Sequence, residues 1–261
     1  MSTVTSSDGT VIDYDSYGDG PTVIFVAGAV QHRRIDPGTS AAAARLGDNR
    51  FNAIVYDRRG RDRSGDTPPW VLQREVEDVA ALIEATGRTA TLYSSSSGAA
   101  VALAAAVSDV GVTGLILYEP PFFRGADKSH QIAAVEALLA EGRYEDAMRY
   151  NFTDVLGIPG DVVNGIAKAP TWPAMCEVAA TLVYDFCAIS EVNTDPDWES
   201  RWADVAVPVS VCSGTRSFPP LAGAADQVAE AIPGAQRRIL PDQDHNPSPE
   251  AITDAVTEFQ T

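Results

Sequence analysis

The strongest constraint on the fold is a rhythm. Six short apolar runs, Thr22 to Ala27, Ala53 to Tyr56, Ala90 to Tyr93, Gly114 to Tyr118, Val209 to Cys212 and Arg237 to Leu240, are separated by stretches of helical periodicity. Continuous apolar runs of this length predict strands covered on both faces, as in a parallel sheet between two helical layers. Ahead of them, Asp8-Gly9 lies between two β-rich runs, and Val11, Asp13 and Asp15 alternate with Ile12, Tyr14 and Ser16, which predicts an N-terminal hairpin. Helical spacing recurs over Val71 to Thr86, which stops at Gly87, and over Ser97 to Val107, which is apolar enough to be buried. From Phe122 to about Asp197 the strand rhythm disappears, and helical patterns such as Gln131 to Glu141 and Tyr144 to Val155 replace it. The expected architecture is an α/β fold with a mostly parallel central sheet flanked by helices. Its core would comprise residues 1–121 and 198–261, with a helical cap inserted at 122–197.

Composition supports a single globular unit with an insertion: 261 residues, 45% hydrophobic and 21% charged, with no repeat and no low-complexity tract. Thirty-six acidic against nineteen basic residues leave a net charge of −17, which repels phosphate backbones and anionic headgroups at long range. A small molecule is therefore the expected partner, not nucleic acid or a membrane. Cys176, Cys187 and Cys212 form an odd set without a CxxC pair or a His-rich neighbourhood, so neither a disulfide framework nor a zinc site is expected. The N-terminus lacks a basic start and an apolar stretch, and no apolar run approaches membrane-spanning length. A cytoplasmic protein, monomer or homodimer, needing no metal or cofactor, is expected.

The chemistry concentrates in Ala90-Thr91-Leu92-Tyr93-Ser94-Ser95-Ser96-Ser97-Gly98-Ala99-Ala100, where a strand ends, a turn of small residues follows, and an Ala-rich helix begins. A G-x-S-x-G nucleophile elbow requires this context, because its serine sits in a strained turn flanked by small residues two positions away on each side. Gly98 and Ser94 fill those flanks if Ser96 is the nucleophile; the Ser95 frame remains an alternative, as does a plain helix-capping serine turn. A serine hydroxyl needs a base, usually His near neutral pH. Of three histidines, His245 lies in the loop between the last strand and the Pro249 to Phe259 helix. His32 follows the Thr22 to Ala27 strand and could line a pocket, while His130 starts an insertion helix.

These motifs, with Gly-x-Gly-Pro before a strand, Ala27-Gly28-Ala29 after it, Tyr56-Asp57-Arg58-Arg59-Gly60-Arg61-Asp62-Arg63-Ser64-Gly65 and Tyr118-Glu119-Pro120-Pro121, resemble the α/β-hydrolase superfamily over essentially the whole chain. The resemblance implies a Ser, acid, His order ending at His245, and an oxyanion hole made by the backbone amides of Ala29 and Ser97, with Ala27 standing where the family carries His. Family members commonly place an Asp in the loop that here reads Ser213-Gly214-Thr215-Arg216-Ser217, so Ser217 occupies the position of the acid. Glu119 is the expected substitute, because some relatives carry the acid after this strand; the pattern is similar to lactone hydrolases of the zearalenone-cleaving type. Its alternative role is a carboxylate paired with Arg33 or Arg34. The charges of Tyr56 to Gly65 are expected to lock a loop behind the elbow. His32, Phe122, Phe123, Trp172 and Met175 are expected around an apolar pocket, with plain core packing as the alternative for the aromatics.

The resulting expectation is a serine hydrolase acting on an ester or lactone of a small apolar molecule. Two other readings share the fold: lyase or cyclase chemistry with His245 as a general base, and a catalytically degenerate ligand-binding protein.

Overall fold

The six apolar runs all become strands of one eight-stranded sheet, described for residues 2–260 in a computed structural model, with the backbone alone at 198 and 199. In chain order the strands are β1 (Ser2–Thr5), β2 (Val11–Tyr17), β3 (Thr22–Val26), β4 (Asn52–Tyr56), β5 (Ala90–Ser95), β6 (Val112–Tyr118), β7 (Val209–Gly214) and β8 (Gln236–Leu240). Their spatial order is β1-β2-β4-β3-β5-β6-β7-β8. The β1–β2 hairpin and the β2–β4 pair are antiparallel, and the remaining pairs are parallel.

Successive strand residues point to opposite faces, so each apolar run feeds two cores at once. Ile24, Val26, Leu92, Leu115, Leu117 and Val211 pack on one side against α2 (Leu72–Thr86) and α3 (Gly98–Ala106). Val23, Phe25, Tyr93, Ile116, Tyr118 and Cys212 pack on the other side against α1 (Pro37–Asp48) and the C-terminal helix. Helix α1 goes beyond the expectations from sequence: its stripe, Ala42, Ala43 and Leu46, offers little apolar contrast, but Asp36 caps it by accepting from the Thr39 amide at 3.1 Å. Helix α2 ends as anticipated at Gly87, which takes the left-handed C-cap conformation at φ 62°.

Between β6 and β7 the chain is helical, in α4 (Ser129–Ala140), α5 (Tyr144–Tyr150), α6 (Gly160–Ile166), α7 (Trp172–Val178), α8 (Leu182–Thr194) and α9 (Trp198–Arg201). The stretch anticipated as one helix from Tyr144 to Val155 is α5 followed by a π-helical turn over Asn151–Val155. Val135, Met148, Phe152, Trp172, Leu182 and Phe186 give the insertion its own apolar cluster. Ala188, Ile189 and Val192 of α8 join the main core instead, which seats the insertion on the sheet domain. Helices α10 (Pro219–Ala231) and α11 (Pro249–Phe259) complete the two layers. Among the described residues no helix is long and apolar enough to cross a membrane.

With β3 through β8 parallel, the C-terminal ends of β3, β5, β6 and β7 and the loop after β8 share one edge of the sheet, the edge where such folds leave a crevice for chemistry.

Candidate active site

Strand β5 stays paired with β6 through Ser95, opposite Tyr118, and the chain then turns at Ser96, whose φ is 51°. A left-handed conformation costs a non-glycine residue roughly 1–3 kcal/mol and persists only where the surroundings impose it. The surroundings here are the end of β3. A Cβ at Gly98 would lie 2.5 Å from the Val26 carbonyl and 2.7 Å from that of Ala27, and a Cβ at Gly28 would lie 2.8 Å from the Ser95 carbonyl and 3.0 Å from Ser96 Cβ. The turn is thus wedged against β3 where no side chain fits, and the Ser96 amide donates to the Tyr118 carbonyl at 2.9 Å. Of the two serine frames, the strained position is that of Ser96.

Glu119, just after β6, also holds a left-handed backbone, with φ 50°. Its carboxylate is 0% exposed and fully engaged. Oε2 lies 2.6 Å from His245 Nδ1, and Oε1 accepts the Gly214 amide at 2.9 Å and the Ser217 hydroxyl. Burial alone pushes this carboxyl up, but the hydrogen bonds from His245, Gly214 and Ser217 outweigh it and hold the group below the usual carboxylate range. An ionised carboxylate only accepts, so it selects the His245 tautomer protonated at Nδ1. Ser217, standing where the resemblance leads one to expect an acid, donates its hydroxyl to the Glu119 carboxylate. The alternative pairing of Glu119 is not formed: Arg33 pairs with Asp13, Asp15 and Asp57, and Arg34 with Asp62 and Glu177.

The His245 side chain is 41% exposed, and its loop is tied to the sheet edge by the Tyr118 hydroxyl donating to the Asp244 carbonyl and by the Arg216 amide donating to the Gln243 carbonyl at 2.9 Å. Asp242 and Asp244 are exposed. Gly214 is required for this approach, since a Cβ there would lie 2.0 Å from the Gln243 carbonyl oxygen.

Ala29 follows β3, and Ser97 opens α3. The Gly28 amide donates to Gln31 Oε1 at 2.6 Å, and the Gly28 carbonyl accepts from Arg61 Nη1 at 2.6 Å. Arg58, Arg59 and Arg61 are buried and paired, Arg58 bidentately with Glu75 at 2.5 Å for both bonds and Arg59 with Asp78 at 2.7 and 2.8 Å. The arginine motif is the loop lock anticipated from sequence.

The pocket expectations need correction. Phe122 is 0% exposed and stacks on Trp202 with centroids 6.3 Å apart, so it belongs to the main core. Trp172 stacks on Phe152 at 6.1 Å inside the cap cluster. Phe123 is half-buried, with its amide donating to Asn193 Oδ1 at 2.9 Å. Met175 packs on the insertion's apolar cluster together with Ala29 and Val30, which brings that cluster to the loop after β3. His32 is buried, and burial pushes its imidazole below the ordinary value. Its potential ligand atoms and those of Asp57 and Asp62 lie within 4.8 Å of one another, but Asp57 is held by Arg33 at 2.7 Å and Asp62 by Arg34 at 2.8 Å, so guanidiniums already meet both charges. Burial raises all three cysteine thiols, that of Cys176 to about 11, so none supplies a thiolate nucleophile near neutral pH.

Sequence reasoning missed Asp185. This α8 carboxylate is buried against Ser97, Arg58 and Arg61, and its only signal in the chain is an acid in an otherwise apolar helical stretch.

Comparison with known proteins identifies the family and the fold. A family profile described as the alpha/beta hydrolase family matches residues 23–256. An alpha/beta hydrolase from Sphaerobacter thermophilus is 40% identical, covers 100% of both chains and superposes with a TM-score of 0.89. A thermophilic esterase from Thermogutta terrifontis (22% identity, 99% and 97% coverage, TM-score 0.75) and an enol-lactonase from Burkholderia xenovorans (19%, 99% and 99%, 0.72) share the fold. Comparison with curated protein sequences finds no match. Profile, full-length relative and sheet topology agree that this chain belongs to the alpha/beta hydrolase family.

Proposed function

We propose that the protein is a cofactor-free serine hydrolase that cleaves a carboxylic ester or lactone of a small, largely apolar molecule. The observation that carries this reading is the 2.6 Å contact between His245 Nδ1 and the buried Glu119 carboxylate, at the sheet edge where Ser96 holds a left-handed turn. A carboxylate that orients an imidazole and stabilises its protonated form is what serine attack needs from its acid.

In this mechanism Ser96 Oγ attacks the substrate carbonyl carbon while His245 Nε2 takes the hydroxyl proton. The carbonyl π pair moves onto oxygen, and the Ala29 and Ser97 amides receive the resulting oxyanion; one such donor contributes about 3–4 kcal/mol. On collapse, the C–O bond to the leaving group breaks and His245 returns its proton to the alkoxide. Water, deprotonated by His245, then hydrolyses the acyl-Ser96 ester by the same steps. In a lactone the leaving alkoxide stays tethered to the acyl group and departs with it on deacylation. The packing of Ala29 and Val30 against the cap cluster favours an apolar acyl portion. Similarity in fold to an esterase and an enol-lactonase points to the same bond class.

The test combines turnover of p-nitrophenyl esters and small lactones with labelling by a fluorophosphonate, read by peptide mass. Turnover and a label on Ser96, both lost in Ser96→Ala, are expected. A folded wild type that turns over none of these and takes no label overturns the reading, in favour of ligand binding or general-base chemistry.

A further inference from the structure

The arginine motif and the cap insertion meet at one buried carboxylate. Asp185, 0% exposed on α8, accepts the Ser97 hydroxyl at 2.8 Å and Arg58 Nη1 at 2.7 Å through Oδ1, and Arg61 Nη2 at 2.7 Å through Oδ2. The same guanidiniums continue to the loop after β3. Arg58 Nη1 donates to the Ala27 carbonyl at 3.0 Å, and Arg61 Nη1 to the carbonyls of Gly28 at 2.6 Å and Gln31 at 3.1 Å. In a trans peptide the C=O and the following N–H point in opposite directions. A donor fixed on the Gly28 oxygen therefore sets the direction of the Ala29 amide. Ser97 is held from its side chain, at the first turn of α3.

Two guanidiniums are balanced here by Glu75 and Asp185, and such buried ionic clusters are poor sources of net stability. They are effective at fixing directions, which an oxyanion site needs, because its donors act only if aimed before charge develops. We infer that Asp185 is a positioning residue through which the cap insertion aligns the oxyanion hole, acting on the Ala29 amide by way of Arg61 and on Ser97 directly. This role rests on the hydrolase reading above. It makes the insertion part of the catalytic geometry as well as a cover for substrate.

The full-length Asp185→Asn variant, which keeps the side-chain size and removes the charge, is compared with wild type on a p-nitrophenyl ester. The expected result is a kcat lowered about 10- to 100-fold with KM within about threefold, as when an interaction made mainly in the transition state is weakened. Affinity for an alkyl boronic acid, which forms a tetrahedral adduct, should fall in proportion to kcat/KM. Backbone amide exchange over residues 28–31 should accelerate, a readout independent of activity. Ser97→Ala removes only the direct link and should lower kcat by about 3- to 10-fold. If Asp185→Asn is folded, unchanged kcat, boronate affinity and exchange overturn the brace, as does a loss of thermal stability with kcat unchanged. If it does not fold, Ser97→Ala decides, and wild-type kcat and boronate affinity in that variant overturn the brace. A wild type without turnover or labelling overturns the hydrolase reading instead, and exchange in Asp185→Asn still decides the mechanical link.

Discussion

At Glu119 a single carboxylate meets an imidazole, a backbone amide and a hydroxyl, while its own backbone sits in the left-handed region. Neutral glutamine would keep nearly the same shape but could present its NH2 to Nδ1, favouring the wrong tautomer, and would not stabilise imidazolium. Glu119→Gln should therefore fold normally and lose about 10³- to 10⁴-fold in kcat, with KM little changed, in steady-state ester assays. Wild-type kcat would mean that another group orients His245. The three candidate residues, Ser96, His245 and Glu119, were legible in the chain for different reasons. Ser96 was framed by Gly98 and Ser94, His245 by its loop among only three histidines, and Glu119 by resemblance once Ser217 stood where an acid was expected. The capture of the Ser217 hydroxyl by Glu119 was not legible, because it joins loops 98 residues apart and depends on the two strand ends being neighbours.

At the scale of elements, the elbow depends on α3 lying directly against the end of β3. Gly98→Ala forces a methyl to within 2.5 Å of the Val26 carbonyl, a backbone atom of a central strand that cannot swing aside. Overpacking of this kind costs about 1–3 kcal/mol, so the thermal midpoint should fall by several degrees in calorimetry, with activity reduced because Ser96 is displaced. Gly223→Ala in α10 is the contrasting case, since nothing lies within 4 Å of the added methyl and φ needs no left-handed residue. That substitution should raise stability by about 0.5–1 kcal/mol through helix propensity and reduced unfolded-chain entropy. Equal effects of the two changes would refute the packing argument. The aromatic residues show the limit of pattern at this scale. Phe122 and Trp172 were legible as large apolar groups of the insertion, yet whether they face a pocket or a core depends on helix packing, and both pack inward.

At the scale of the whole molecule, Asp8, Glu119 and Asp185 are held below the ordinary carboxylate range. In each, burial works in the opposite direction and is outweighed, for Asp8 by Arg59 and Thr10 and for Asp185 by Arg61, Arg58 and Ser97. The unfolded chain binds these protons more tightly than the folded one. Their stabilisation is therefore complete above about pH 4 and lost as pH falls through the lower folded values. Asp78, which burial pushes up, works the other way but is outnumbered. The thermal midpoint should fall steadily on acidification below about pH 4, and Glu119→Gln should lessen that fall. A midpoint flat to pH 2 would contradict the paired-carboxylate picture. At neutral pH the net charge of −17 adds self-repulsion that salt would screen.

What the chain determined by itself is the layered sheet and the small-residue turn that frames Ser96, because short-range physics encodes both. Apolar runs without alternation mark buried strands, and a strained turn needs small residues at set offsets. What only the tertiary structure decided is which distant side chains meet. Asp185 meets Ser97, Arg58 and Arg61 across 88, 127 and 124 residues, and no local period or propensity carries such a pairing. It comes into being when α8 docks on the sheet and buries charges that must find partners there, since leaving any of them unpaired would cost several kcal/mol.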